Sequence, residues 1–485
     1  MDLRTAVLAS YFGVLAILTL YGAHRCYLLW LFARHRRDAP RPAARFVAPP
    51  SLTVQIPLHN EKYVAARVID AVCALDWPKD RLDIQVLDDS TDETSAIVAA
   101  SVRRWQAAGV PIVHVRRAAR DGFKAGALAE GLNSARGEFV AVFDADFVPA
   151  PDFARALVDH FTDPGVGMVQ ARWGHLNRDS SRLTRAQSIL LDGHFVLEHA
   201  ARNRSGRFFN FNGTAGIWRR TCIEDAGGWH HDTLTEDLDL SYRAQLRGWR
   251  FVFLSDVIAP AELPVEMGAF KSQQHRWVEG SIQTALKLLP LILRSSLPRR
   301  VKIESVVHLT ANAGYALMAA LAVLIGPAVW LRRGASAHQL ALVDLPIVAI
   351  SFVSIAGFYL VAQREAYGSW REAVGDIPVL MAVGVGMSVS NAHAVVSGLF
   401  PKEREFARTP KHALAACDRA GLAASDYRAR LRPETWIELG LGLYFAALVA
   451  AAFAGGLWGA VPFLSIFAGG FLYTAGSALR QSLTF

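Results

Sequence analysis

The placement of its apolar runs limits most strongly what this chain can fold into. Val7 to Leu31 is nearly unbroken apolar sequence, long enough to cross a bilayer as a helix. Further long apolar runs fall at 305–330, 341–362, 436–456 and 458–479. Between the first run and the others lies a long stretch of ordinary globular composition. The chain is 52% hydrophobic and 19% charged, which is apolar for a soluble protein, and the excess sits in these runs. At 485 residues, two or three folding units are expected. Lipid is the expected solvent at both ends and water in between.

The first run lacks a basic lead-in and a small-residue cleavage site, so it reads as a signal anchor rather than a removed peptide. Arg34, Arg36, Arg37, Arg41 and Arg45 follow it, whereas Met1 to Ala6 is nearly neutral. By the positive-inside rule the globular part is cytoplasmic; a basic linker without topological meaning is the plainer alternative. The stretch 377–400 is interrupted by Pro378, Gly384, Gly386, Asn391 and His393, and the strongly basic segment Lys402 to Arg432 follows it. A full crossing would put that segment outside, against the charge rule. We therefore expect 377–400 to be re-entrant or interfacial, which leaves five spans. Arg332 and Arg333 on an outer loop violate the rule under either count.

The formal charge is +8, but the basic residues cluster beside the apolar runs, which suits anionic membrane lipids rather than nucleic acid. Cys26, Cys73, Cys222 and Cys417 show no paired spacing. Neither a disulfide framework nor a zinc site is expected, in keeping with a reducing compartment.

From Ser51 the pattern changes to short apolar strands separated by helices. Leu52 to Ile56, Leu82 to Leu87, Ile112 to Val115 and Glu138 to Phe143 read as strands; Tyr63 to Leu75, Glu93 to Ala107 and Ala125 to Ala135 read as helices. The alternation predicts an α/β fold with a doubly wound, mostly parallel sheet. Such sheets bind ligands where loops leave the carboxyl ends of the strands. Two of those ends carry acids, Asp88-Asp89 and Asp144-Ala145-Asp146. Further on, Phe270 to Arg300 is a mostly helical stretch too charged to span, suited to lie in the membrane interface.

Four motifs carry chemistry. Asp144 and Asp146 flank one residue after a buried strand, so both can reach one site and hold Mg²⁺ or Mn²⁺ against a diphosphate; alone, such a pair is more often a solvated turn. Asp88-Asp89-Ser90 follows its own strand, with Pro57-Leu58-His59-Asn60-Glu61 after the neighbouring one. These suit a nucleotide base and ribose, or equally ordinary turn chemistry. Lys124, beside Gly122 and Gly126, suits a phosphate or an exposed loop. Thr235-Glu236-Asp237 opens a helix, where Thr235 resembles an N-cap and Asp237 is either a dipole-stabilised helix acid or a general base. In Gln273-Gln274-His275-Arg276-Trp277 an indole face suits a pyranose and an arginine a diphosphate; a snorkelling arginine beside an interfacial tryptophan is the plain alternative.

Taken in order, these motifs resemble the processive family 2 glycosyltransferases of the cellulose synthase superfamily. Phe211-Asn212-Gly213-Thr214-Ala215-Gly216, and Glu262-Leu263-Pro264 followed by the Gln273–Trp277 motif, look most like its plant-type mannan and glucan synthase-like branch. The likeness covers about residues 45–300 and returns at Phe406-Ala407-Arg408-Thr409-Pro410-Lys411, similar to the family's gating loop, with Arg408 where valine is usual. The resemblance implies a GT-A-like catalytic domain joined to an α-helical transmembrane domain. It implies an inverting transfer of hexose from a UDP- or GDP-linked nucleotide sugar to a β-linked, β-1,4 glucan or mannan acceptor, translocated through the chain's own spans. By position it makes Asp237 the base with Glu236 beside it. It places Asp88 and Asp89 at the nucleoside, Lys124 and Asp144 at the diphosphate, and Asp144 and Asp146 on Mg²⁺ or Mn²⁺. Gln273, Arg276 and Trp277 would meet the acceptor terminus and diphosphate, and Thr409 and Lys411 would close over the nucleotide.

The expected divisions are an N-terminal span (1–34), the catalytic domain (45–265), interfacial helices (266–303), membrane helices with the re-entrant segment (304–400), a gating-type loop (401–434) and two last spans (435–485). The expected setting is a bacterial inner membrane with the catalytic domain cytoplasmic. A one-step transferase making a glycolipid shares the acidic and Arg-Trp motifs but generally lacks the Thr-Pro-Lys loop. An idle transporter or scaffold would not need intact carboxylates at every motif.

Overall fold

The structure, a computed structural model, describes residues 2–332, 337–400 and 431–484. Among them the central element is a seven-stranded sheet of β1 (Leu52–Leu58), β2 (Leu82–Asp88), β3 (Ile112–Arg116), β4 (Phe139–Val142), β5 (Val166–His175), β6 (Gly216–Arg219) and β7 (Arg250–Ala261). The strands lie in the order β3-β2-β1-β4-β6-β5-β7. β1 runs parallel to β2 and β4, β2 to β3, and β5 to β7; β6 is antiparallel to both its neighbours. This is the expected doubly wound, mostly parallel sheet. The run Phe139 to Phe143 shows why it forms: Phe139, Ala141 and Phe143 enter one core with Val54 and Ile56, while Val140 and Val142 enter the opposite core with Leu128. A strand covered on both faces needs no polar alternation.

The chain leaves β1 first toward β2 and β3, then returns to place β4 on its other side. The carboxyl ends of β1 and β4 therefore bound a crevice at a topological switch point. Because β6 is antiparallel, its start lies beside the end of β4, with Gly216 opposite Val142. That brings the loop before β6 to the same crevice.

The helices used below are α1 (Leu3–Arg34), α2 (Phe123–Ser134), α3 (Glu236–Leu246), α4 (Met267–Arg294), α5 (Arg299–Thr310), α6 (Ala337–Tyr367), α7 (Ile377–Gly386), α8 (Ser388–Leu399) and α9 (Glu434–Ala454). Among the described residues four helices are long and apolar enough to cross a membrane: Leu3–Arg34, Arg299–Leu331, Glu434–Ala454 and Val461–Ser482. The expected run 341–362 lies in α6. The contested stretch 377–400 is broken, with Arg371–Gly386 and Ser388–Leu399 meeting at a bend of 44°. Beside that break the backbones approach closely. A Cβ on Gly386 would lie 2.4 Å from the Gly470 carbonyl oxygen, so only glycine admits this packing.

Its charges marked α4 as unable to span, and the structure turns them inward. Lys271 is buried against Glu438 of α9, and Lys287 reaches Asp232 and Asp239 at 2.8 and 2.9 Å. Leu286, Leu291 and Leu293 are exposed instead.

Candidate functional site

The crevice collects side chains from six separate parts of the sequence. Asp88 ends β2 and is buried, with Oδ1 accepting from the Ser90 amide (2.9 Å) and Oδ2 from the Ser95 hydroxyl (2.6 Å), and His114 Nε2 lying 2.9 Å from Oδ2. Burial alone would raise this carboxyl, but the hydrogen bonds from His114, Ser90 and Ser95 outweigh it and hold it well below the usual range. Asp89 is gripped by Arg117, whose Nε and Nη2 donate to its two oxygens at 3.0 and 2.5 Å. The same guanidinium donates to the carbonyls of Asp121 and Phe123, at 2.7 and 2.9 Å. The pair expected at a nucleoside thus also braces the loop that delivers α2.

Lys124 stands in the first turn of α2. Its ammonium donates to Asp144 Oδ1 at 2.5 Å and to the Gly213 carbonyl at 2.9 Å, and lies 4.0 Å from Glu236. Burial would lower its proton affinity, yet Asp144 and Glu236 together raise it, so the lysine stays charged. Asp144 is held in place through its backbone, its amide donating to Thr214 Oγ1 at 2.9 Å. The turn carrying Asp146 is secured through its carbonyl, which accepts from the Glu262 amide at 3.2 Å. Arg67 bridges Glu262 Oε2 (3.0 Å) and that carbonyl (3.5 Å).

Gly213 is the floor. Its φ is 79°, and a Cβ there would meet Asp237 Oδ2 at 3.1 Å and Lys124 Nζ at 3.3 Å. Both the backbone conformation and the space demand glycine. Glu236 and Asp237 open α3, and burial pushes both carboxyls up. Asp237, further raised by the neighbouring Glu236, reaches about 7. Thr235 occupies the N-cap position as expected, but its hydroxyl makes no capping bond. It lies 3.2 Å from Thr284 Oγ1 of α4 instead, so the cap expectation is corrected in chemistry though not in place. Helix α4 can come this close because Gly280 faces Thr235, whose amide a Cβ would meet at 2.8 Å.

That approach carries Arg276 and Trp277 toward the cleft, and Gln273 lies one turn before them on the N-terminal half of α4. Burial lowers Arg276 to about 10, opposed by the charges of Asp144, Glu236 and Glu61. This acidic, buried surrounding differs from that of a snorkelling arginine in the headgroup layer. Trp277 lies 6.4 Å from Trp173 of β5, which packs on Phe147 at 5.3 Å, immediately after the Asp144–Asp146 turn. Thr409 and Lys411 lie outside the described residues.

Residues 49–280 match the family described as glycosyltransferase like family 2. The chain is 46% identical over 251 residues to glucomannan 4-beta-mannosyltransferase 2 of Arabidopsis thaliana, covering 51% of this chain and 47% of that one. It is 44% identical over 268 residues to glucomannan 4-beta-mannosyltransferase 1 of Oryza sativa subsp. japonica, covering 54% and 51%. The chain spans about half the length of the curated relatives it matches. A mannosyltransferase from Pyrobaculum calidifontis, solved with GDP-Man and Mn²⁺, shares the fold with a TM-score of 0.53 at 22% identity, over 82% of this chain and all of that one.

A second acidic group, His230, Asp232 and Asp239, has ligand atoms within 4.8 Å of one another. The Lys287 ammonium already stands among them, 3.3 Å from His230 Nδ1 as well as beside both aspartates. Arg117 and Trp173 were not singled out from sequence, and Gly213 only as part of the Phe211–Gly216 motif. Arg117 was findable as the basic residue after β3; nothing in the pattern of β5 marks Trp173.

Proposed function

We propose that this chain transfers mannose from GDP-mannose, with inversion, to the end of a growing β-1,4-linked mannan and passes the polymer through its membrane helices. The observation that carries this is the meeting of Lys124, Asp144 and Asp237 around Gly213, with Arg276 and Trp277 delivered by a helix tied to α9. The names of its relatives favour mannose; UDP-glucose is the other donor of suitable chemistry. The catalytic part faces the cytoplasm of a bacterial inner membrane, on the charge argument given above.

Asp144, Glu236 and Asp237 crowd one lysine, three carboxylates to one ammonium, and burial together with their mutual proximity raises the proton affinity of the last two. This oxygen-rich, under-neutralised set fits a hard divalent cation, Mg²⁺ or Mn²⁺, held by Asp144 and Asp146. When bound, the ion offsets charge on the departing diphosphate. Lys124 and Arg276 add the protein's own positive charge there. Asp237 takes the proton of the acceptor hydroxyl as that oxygen attacks the anomeric carbon opposite the diphosphate. The bond to the diphosphate breaks, and one displacement converts an α-linked donor into a β-linked product. A base titrating near neutrality is matched to this step.

Glu236 keeps Lys124 charged beside the base. Asp88 and Asp89 shape the nucleoside pocket, Asp88 through His114 and Asp89 through Arg117. Trp277, backed by Trp173, stacks on the terminal sugar with Gln273 alongside. The test is product analysis of the purified full chain, with Mg²⁺ or Mn²⁺, given GDP-mannose and UDP-glucose separately. A long β-mannanase-sensitive polymer from GDP-mannose is expected. A β-glucanase-sensitive polymer from UDP-glucose would change the sugar. A monoglycosylated lipid extractable into organic solvent would replace the synthase reading with the glycolipid one.

A further inference from the structure

From the cleft floor a chain of polar side chains leads away from the transfer site to the first membrane helix. Asn212, next to Gly213, donates from Nδ2 to His194 Nε2 at 3.0 Å, which leaves His194 Nδ1 to donate to Glu198 Oε2 at 3.3 Å. The same Oε2 accepts from Arg202 Nη1 at 3.1 Å. Arg202 Nε donates to Glu304 Oε1 of α5 at 2.9 Å, and His24 of α1 lies 3.0 Å from the other oxygen of Glu304.

The two halves of this chain differ in access. The Arg202 and Glu304 side chains are 3% and 2% exposed, as a buried tie between elements would be. His194 and Glu198, although nearer the middle of the molecule, keep 28% and 24%. Among the described residues both Glu198 contacts fall on Oε2, and Oε1 makes none. The two residues lie in a π-helical turn, Gly193–His199, a rare conformation that recurs at functional sites.

Their surroundings point to one ligand. On one side Asn212 joins the floor at Gly213, which abuts Asp237. On another, Phe195 packs on Trp173 at 5.1 Å, and Trp173 leads to Trp277. On the third, Gly193 abuts Tyr359 of α6, over whose ring the Arg25 guanidinium of α1 stands at 5.7 Å. His194 and Glu198 are thus flanked by the base, the stacking indoles and the membrane helices.

We propose that His194 and Glu198 form the acceptor subsite behind the reacting sugar, where Glu198 accepts hydrogen bonds from hydroxyls of the second hexose. This rests on the glycan synthase reading. A carboxylate with one oxygen anchored by Arg202 and His194 and the other open suits a neutral polyol, because hydroxyl donors replace the lost water without adding charge. It makes an oligosaccharide a better acceptor than a single sugar.

The test is steady-state transfer by the full chain to β-1,4-linked di-, tri- and tetrasaccharides and to the monosaccharide. Glu198→Gln is expected to raise the oligosaccharide KM roughly 10- to 100-fold, as for the loss of one charged hydrogen bond, and to abolish the preference over the monosaccharide. The donor KM is expected to move less than threefold. Glu304→Gln, two links further back, should lower the melting temperature without shifting the acceptor KM. If the wild type elongates and Glu198→Gln keeps its oligosaccharide KM, the network is a structural tie and the subsite is wrong, with the transferase reading intact. If the wild type elongates nothing from either donor, the reading beneath the subsite falls. Should Glu198→Gln not fold, His194→Gln carries the same expectation, and an unchanged oligosaccharide KM in that variant overturns the proposal equally.

Discussion

Two lysines meet carboxylates in this molecule in opposite ways. In the cleft, Lys124 faces Asp144, Glu236 and Asp237, three carboxylates around one ammonium, and the last two bind protons more readily than usual because they are buried and lie side by side. At the junction with the membrane helices, Lys271 of α4 pairs with Glu438 of α9, and the two side chains are 2% and 0% exposed. The second arrangement balances its charges and closes. The first leaves negative charge over, beside an opening. Left-over charge costs stability in the free protein, so it persists where a ligand completes it. The comparison separates a working site from a rivet between two parts of the chain.

The strongest way to break that distinction is Asp144→Ala. If the surplus carboxylates hold a cation, this variant, or wild type in EDTA, should lose metal-dependent transfer to background while still folding. Undiminished transfer in EDTA would make the acidic surplus something other than a cation site. Asp237→Asn keeps shape and removes the proton acceptor, so transfer should fall by about 10²–10⁴-fold with donor binding retained. Because only the deprotonated carboxylate can act and burial raises it to about 7, wild-type kcat/KM should climb as pH rises through that value and then level. A profile flat from pH 5 to 9 would remove Asp237 from the role.

The rivet makes its own claim. Lys271→Met leaves Glu438 buried and alone, an error worth about 3–5 kcal/mol, and should lower the melting temperature far more than it changes KM for the donor. Adding Glu438→Leu should recover most of the loss; no recovery would show that the pair is not balanced as described. The smallest effect is expected at the His230, Asp232 and Asp239 group, where Lys287 already supplies the cation. Asp232→Ala should cost under about 1 kcal/mol, being an exposed partner, and leave the metal requirement for transfer unchanged. A shifted metal requirement there would move the ion site.

Much of this was legible because it depends on local pattern. Phe139 to Phe143 is apolar at every position, and that alone marks a strand covered on both faces, with the acids after it at a strand end. Val7 to Leu31 has the length and composition of a span without reference to any neighbour. The Thr235 cap was half legible: a threonine before Glu236 marks where a helix begins, but whether its hydroxyl turns to the helix or to Thr284 depends on how near α4 comes. Lys271 was also half legible. A lysine on an amphipathic helix suggests the headgroup layer, and its partner Glu438 is far away in the chain.

What the sequence determined by itself was the division between lipid and water, the alternation of strands and helices, and the set of acids at strand ends. Each follows from side-chain solubility and backbone periodicity over a few residues. The tertiary structure decided which groups share charge. It set Asp237 against Glu236 and Gly213, closed Lys271 on Glu438, and linked Asn212, His194 and Glu198 from the cleft floor toward the membrane helices. Those outcomes turn on distances of a few ångströms between residues far apart in sequence. Coulombic and hydrogen-bond energies depend on such distances, and on the burial around them, and neither is written in any short stretch of chain.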